Sequence, residues 1–256
     1  MRVAARSAVV LVAAVVLGGC GGGNGCGSSC TRVLFVGNSY TYVNDLPATF
    51  ASLAESGHHP VETGMLAWGG ATLGGHAIDA ETRSALGASR WSDVVLQEQS
   101  QIPAVPSLRQ TQMYPPARKL VAVVRDVGAR PLFFVTWAHR DGWPEEGIPD
   151  YATMQAAVDA GYLEIAREQN VPVVPVGYAW WITLAQERGG TLWQEDGSHP
   201  TPEGTYLAAC VFYAAVFRES PVGLAFQNGL PPEQAARLQK TAADVVLGHA
   251  AEWGLG

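Results

Sequence analysis

Two short segments, far apart in the chain, hold residue types that together can make a nucleophile. Gly37-Asn38-Ser39-Tyr40-Thr41 places a serine hydroxyl directly after an apolar run, and Asp196-Gly197-Ser198-His199-Pro200 places a carboxylate three residues before an imidazole. A serine hydroxyl attacks well only when a base takes its proton, and a turn entering a helix adds exposure and the positive end of the helix. An aspartate in one turn with a histidine can hold one ring nitrogen while the other faces the serine. Alone, Ser39 reads as a helix cap or turn residue, and Asp196-x-x-His199 as a helix-entry turn with a solvated histidine. Together, in this order, they point to acyl transfer, with Ser39 as nucleophile, His199 as base and Asp196 as its orienting partner.

The elements that must position these residues alternate short β-rich runs with longer amphipathic ones. Val33–Val36 is an apolar strand ending at Gly37, and Leu46, Phe50, Leu53 and Ala54 then recur at helical spacing until Gly57. Strands are expected at 61–66, 94–96, 132–135 and 171–176, with helices at 78–86, 117–127, 154–166 and 179–186. The strong helix start Thr201-Pro202-Glu203 leads into the apolar run 206–217, and the stretch 231–253 reads as a closing helix with Pro231 and Pro232 near its start. Strands apolar on both faces and separated by helices indicate a parallel sheet covered on both sides, an α/β three-layer sandwich. Ligands of such sheets sit at the carboxyl ends of the strands, where both segments fall.

Composition narrows the class. Of 256 residues, 48% are hydrophobic and 15% charged, which supports a large core and argues against disorder. The 29 glycines and 16 prolines punctuate apolar runs without a fixed period, so collagen-like and solenoid readings fail. The 23 acidic and 16 basic residues give a net charge of −7, which disfavours nucleic acid and anionic membrane as partners.

The N-terminus addresses the compartment. Arg2 and Arg6 precede an unbroken apolar stretch from Ala8 to Leu17, and Leu17-Gly18-Gly19-Cys20 follows. This resembles a bacterial lipoprotein signal at 1–19, which implies cleavage, lipid on Cys20 and a domain anchored to the cell envelope; an ordinary secretion signal would export the same domain. Residues 20–31 read as a flexible Gly/Ser/Cys tether and 32–256 as one domain. Cys26, Cys30 and Cys210 remain; a Cys26–Cys30 loop, a Cys30–Cys210 bridge and a buried free Cys210 thiol are all open. No His/Cys cluster has zinc-ligand spacing, so no metal is expected.

The two blocks resemble those of the SGNH hydrolase superfamily, the GDSL-type esterases and lipases. Gly37-Asn38-Ser39 matches the nucleophile block, with Asn38 where many members have aspartate, and Asp196-Gly197-Ser198-His199-Pro200 matches the terminal block. The texture is similar to a bacterial branch reading Gly-Asn-Ser-Tyr/Phe-Thr, Leu-Gln-Glu-Gln-Ser and Asp-Gly-Ser-His-Pro. The resemblance implies a flavodoxin-like five-stranded parallel sheet and a cofactor-independent serine esterase with an acyl-enzyme. It also implies an oxyanion hole from the Ser39 N–H, a glycine N–H after strand two and a side-chain amide after strand three. Gly69-Gly70-Ala71-Thr72 supplies the glycine, with Gly70 fitting the family's Gly-x-Thr pattern. The usual asparagine block is absent, and 95–100, Val-Leu-Gln-Glu-Gln-Ser, stands in its place, much like the Gln-Gly-Glu strand end of sialate and acetylxylan esterase-like relatives. One of Gln97 and Gln99 is expected to be the donor; that likeness favours Gln97.

Substrate contacts are expected from Asn38, Tyr40, Trp68 and Trp137, which flank the nucleophile or fall in strand-end loops. Flat aromatics there would stack on sugar rings, favouring short-chain or acetyl esters of carbohydrates; packing in the core is their other use. No extended apolar lid of the long-chain lipase kind is evident. The alternatives are a noncatalytic glycan-binding lipoprotein on the same scaffold and a lysophospholipase or thioesterase of the superfamily.

Overall fold

The computed structural model describes residues 30–88, 90–186 and 192–256. The expected leader, Cys20 and Cys26 lie outside the described residues.

The chain alternates strand and helix: β1 (Thr31–Gly37), α1 (Ser39–Tyr42), α2 (Leu46–Ser56), β2 (Val61–Ala67), α3 (Leu73–Ile78), α4 (Ala80–Ala88), β3 (Asp93–Leu96), α5 (Pro106–Leu108), α6 (Tyr114–Asp126), β4 (Arg130–Phe134), α7 (Tyr151–Gln169), β5 (Val173–Val174), α8 (Val176–Gln186), α9 (Pro202–Phe217) and α10 (Pro232–Leu247). All pairings are parallel, in the order β2-β1-β3-β4-β5. This is the flavodoxin-like order, whose direction reverses between β1 and β3 and opens a crevice at their carboxyl ends.

β1, β3 and β4 are rich in valine, leucine and phenylalanine and largely buried on both faces because helices cover both, whereas the edge strand β2 is mostly half-buried. On one side α9 packs between α2 and α10; on the other lie α3, α6 and α7. Phe35 of β1 meets Phe50 of α2 and Phe212 of α9 edge to face, at centroid distances of 6.0 and 5.2 Å. Almost every residue of α9 is buried, so its apolar run needs no polar face.

Three expected boundaries shift for local reasons. The helix expected at 78–86 runs over Ala80–Ala88, because the Asp79 carboxylate accepts the Thr82 N–H at 2.7 Å and starts it there, and a short helix at Leu73–Ile78 precedes it. The fifth strand is only Val173–Val174, since Pro172 and Pro175 flank it without N–H donors. Its outer edge is covered where the Val173 N–H donates to the Trp253 carbonyl at 2.9 Å. The closing helix stops at Leu247, and Trp253 folds back so that its Nε1–H donates to the Val245 carbonyl at 2.8 Å. Cys210 is a buried free thiol on α9, so the Cys30–Cys210 bridge is not formed.

Candidate active site

The crevice between β1 and β3 is where the two chemical segments meet. Asn38, which follows β1, caps α1 with its side-chain oxygen, accepting the Tyr40 N–H at 3.1 Å. This sharp strand-to-helix turn leaves Ser39 half-buried on the rim of a cavity of about 370 Å³. The turn is tight: a Cβ at Gly37 would collide with the Gln97 and Thr41 side chains, so only glycine fits. Behind it, the buried His76 ring reaches the Gly37 carbonyl through Nε2 at 2.8 Å and Thr82 through Nδ1 at 3.1 Å. Burial lowers the His76 pKa, which favours the neutral ring as an Nε2–H donor to that carbonyl.

His199 lines the same cavity from the opposite end of the sequence. Its Nδ1 lies 2.6 Å from one oxygen of Asp196, while the other oxygen accepts the backbone N–H of Ser198 and His199 at 2.9 and 3.0 Å. Burial pushes the Asp196 pKa up, but these bonds outweigh it and hold the carboxylate below its usual range. Gly197 takes a left-handed φ of +69° to close this turn. The turn is tied to the rest of the site on three sides. Trp137 Nε1–H donates to the Ser198 carbonyl at 2.9 Å, the Arg140 N–H donates to the Gly197 carbonyl at 2.8 Å, and Asn44 Nδ2–H donates to the Pro200 carbonyl at 2.8 Å. Tyr40 adds a hydroxyl contact of 2.8 Å to Ser198 Oγ, and burial raises its pKa to about 12, so it stays a neutral phenol.

Ser39 Oγ and His199 Nε2 make no hydrogen bond to the described residues, so both are open to a substrate in the cavity. Nor do the Ser39 and Gly70 N–H groups have an acceptor among the described residues. Gly70 lies on the rim in a left-handed turn, φ +68°. Its loop is pinned beside the nucleophile by the Asn38 side-chain amide, which donates to the Ala71 carbonyl at 3.0 Å. Two unpaired donors on the rim of the cavity that holds the serine are what an oxyanion requires.

The two glutamines separate. Gln97 is fully buried: its Oε1 accepts the Asn38 N–H at 2.9 Å and the Thr41 hydroxyl at 3.0 Å, and its Nε2–H donates to Asn38 Oδ1 at 2.9 Å. The expectation that favoured Gln97 as oxyanion donor is thereby corrected, since its amide braces the nucleophile turn from behind. Gln99 instead lines the cavity.

The expected substrate contacts divide as well. Asn38 and Tyr40 line the cavity, but the first is engaged in capping and the second hydrogen-bonds Ser198. Trp137 is wholly interior, stacked between Tyr40 at 4.5 Å and Trp180 at 4.1 Å; it supports the site from beneath and stacks on no ligand. Trp68 is exposed, tilted against His76 at 4.1 Å, outside the cavity wall. Sequence reasoning passed over His76, Ser100 and Asn44. Each is an ordinary polar residue in a local window, and only burial against a distant partner marks it.

No family model and no curated protein matches the sequence. Solved structures do. The fold is similar to that of a candidate SGNH hydrolase from Slackia heliotrinireducens, at 28% identity over 72% of this chain and 97% of the other, with a TM-score of 0.60. A DUF4886 family protein from Bacteroides uniformis aligns at 17% identity over 85% of this chain and 95% of the other, with a TM-score of 0.74. An acetyl xylan esterase from Geobacillus stearothermophilus aligns at 15% identity over 77% and 97%, with a TM-score of 0.53. The fold is that of the SGNH hydrolases.

Proposed function

We propose that the protein is a serine esterase that hydrolyses short acyl esters, acetyl esters of carbohydrates above all, through an acyl-enzyme. The observation that carries this reading is that His199, bonded to Asp196 at 2.6 Å, lines one cavity with Ser39 and with the unpaired N–H groups of Ser39 and Gly70 on its rim. His199 Nε2 takes the Ser39 proton as Oγ attacks the ester carbonyl, and Asp196 stabilises the imidazolium that forms. The oxyanion is met by the Ser39 and Gly70 N–H groups. Gln99 adds an amide proton, because its 3.4 Å contact to Ser100 Oγ is weak enough to be exchanged for a charged acceptor. The imidazolium then protonates the leaving alkoxide, the acyl group stays on Ser39, and water activated by His199 releases the acid.

A cavity of about 370 Å³, close to the lower end of small-molecule sites, supports a short acyl group. The esterase neighbours are consistent with that choice. The reading extends to location: export through the 1–19 leader and a lipid on Cys20 would hold this domain on the envelope, where acylated glycans are its substrates.

A fluorophosphonate probe tests the mechanism. Mass spectrometry should find the adduct on Ser39 alone, and Ser39→Ala should retain only the residual rate of about 10³ over water that oxyanion stabilisation provides. Labelling at another residue, or full turnover by that variant, would overturn it.

A further inference from the structure

The cavity contains a second serine–histidine pair that the triad does not use. Ser100 Oγ lies 2.9 Å from His139 Nε2, and both residues line the cavity with Ser39 and His199. Ser100 follows β3 and His139 follows β4, so two adjacent strand ends set their positions. Ser100 is buried and His139 half-buried, and His139 Nδ1 has no partner among the described residues. One ring nitrogen is thus anchored and the other is free. Burial lowers the His139 pKa, Asp196 partly offsets this and His199 lowers it further, so the ring stays neutral beside a catalytic imidazolium. A neutral imidazole offers either a donor or an acceptor at its free nitrogen, which suits an uncharged hydroxyl better than an ion.

The flank it occupies says which part of a substrate it meets. The Arg140 N–H donates to the Gly197 carbonyl at 2.8 Å, which ties the residue after His139 to the turn carrying His199. Gly70 and its N–H belong to the loop after β2, across β1 from that turn. Because His199 must hand its proton to the leaving oxygen, the alcohol half of the ester lies on the His199 side, beside His139.

We propose that His139, fixed by Ser100, is a specificity-determining residue that hydrogen-bonds a free hydroxyl next to the ester on the leaving alcohol. The preferred substrates are then partly acylated polyols, such as sugars with an unmodified neighbouring hydroxyl. The proposal rests on the esterase reading above and adds a substrate feature to it.

The test uses the purified protein with three kinds of ester: p-nitrophenyl acetate, mono-O-acetylated methyl xylopyranosides, and the same xylopyranosides with the neighbouring hydroxyl replaced by hydrogen. The wild type should favour the hydroxyl-bearing sugar over its deoxy counterpart by about tenfold or more in kcat/KM, since a site built to bond a hydroxyl rejects an analogue without it. In His139→Ala that ratio should fall to about one, whatever loss the two sugars share. Ser100→Ala, which frees the ring without removing it, should give a ratio between the two, and it carries the test if His139→Ala does not fold. An unchanged ratio in both variants, or no preference in the wild type, overturns the proposal while leaving the esterase intact. Failure of the wild type to cleave even p-nitrophenyl acetate counts against the esterase reading itself, and the assignment of His139 falls with it.

Discussion

Gln97 holds Asn38 by both ends of one amide: its oxygen accepts the Asn38 backbone N–H and its nitrogen donates to the Asn38 side-chain oxygen, each at 2.9 Å. The strand end of β3 therefore sets the residue that caps the nucleophile helix, and Ser39 inherits its position from a side chain 58 positions away in the sequence. Removing that amide leaves the Asn38 N–H and the Thr41 hydroxyl unpaired in the interior.

Gln97→Ala should accordingly lower stability by about 2–4 kcal/mol, at roughly 1–2 kcal/mol for each group left unpaired. Gln99→Ala frees only the part-buried loop N–H groups of Gln101 and Ile102, so it should lower the melting temperature less than Gln97→Ala does, and it should reduce kcat by about 10²-fold with less effect on KM. Melting curves and kcat on both variants separate bracing from transition-state stabilisation. If Gln97→Ala melts like the wild type, the bracing account is wrong.

Asp196→Asn tests orientation against turn formation. The asparagine oxygen can still accept the Ser198 and His199 N–H groups, so the turn should persist. Its amide would face His199 Nδ1 as a donor, forcing the wrong tautomer, and kcat should drop by about 10³–10⁴-fold with little change in Tm. Retained turnover would remove Asp196 from the mechanism.

Trp137 links the two halves of the site, stacking on Tyr40 and donating to the Ser198 carbonyl. Trp137→Phe keeps an aromatic ring but deletes that donor. The expected cost is about 1–2 kcal/mol of stability, with a fall in kcat larger than any change in KM because the His199 turn loses a tether. Unaltered kcat would mean that Arg140 and Asn44 suffice.

Glu98 gives a pH signature. The residue is fully buried, one oxygen accepts the Leu73 and Gln99 N–H groups at 3.2 and 2.7 Å, and the other lacks a partner. Burial raises its pKa to about 8 against 4.5 in an unstructured chain. In the unfolded chain the acid ionises above 4.5 while the folded form keeps its proton, so stability declines as pH rises from about 4.5 to about 8 and then levels. Glu98→Gln should flatten that decline and raise Tm near pH 8. A Tm profile identical to the wild type's across this range would exclude Glu98 as its source.

Cys20 should carry lipid in a bacterial host. A clickable fatty acid should label the full-length protein, and Cys20→Ala should lose the label; labelling retained in the variant would point to another anchor.

The features legible in the sequence are those whose physics is local. A serine on the turn entering a helix, an aspartate turn closing on His199 and apolar strands between amphipathic helices depend on neighbours a few residues away, so residue types and spacing suffice to single out Ser39, Asp196 and His199 as candidates and to find the parallel sheet. What tertiary structure decided depends on partners far along the chain. Which glutamine faces the cavity is decided past the end of β3, where Asn38 captures the Gln97 amide and Gln99 is left on the cavity wall. Trp137 became a buried support because Tyr40 and Trp180 sandwich it, a contact between segments about 40 to 100 residues apart that no local pattern encodes. The Ser100–His139 pair exists only because β3 and β4 are neighbours in the sheet, and their pairing is settled by burying both faces of these central strands at once.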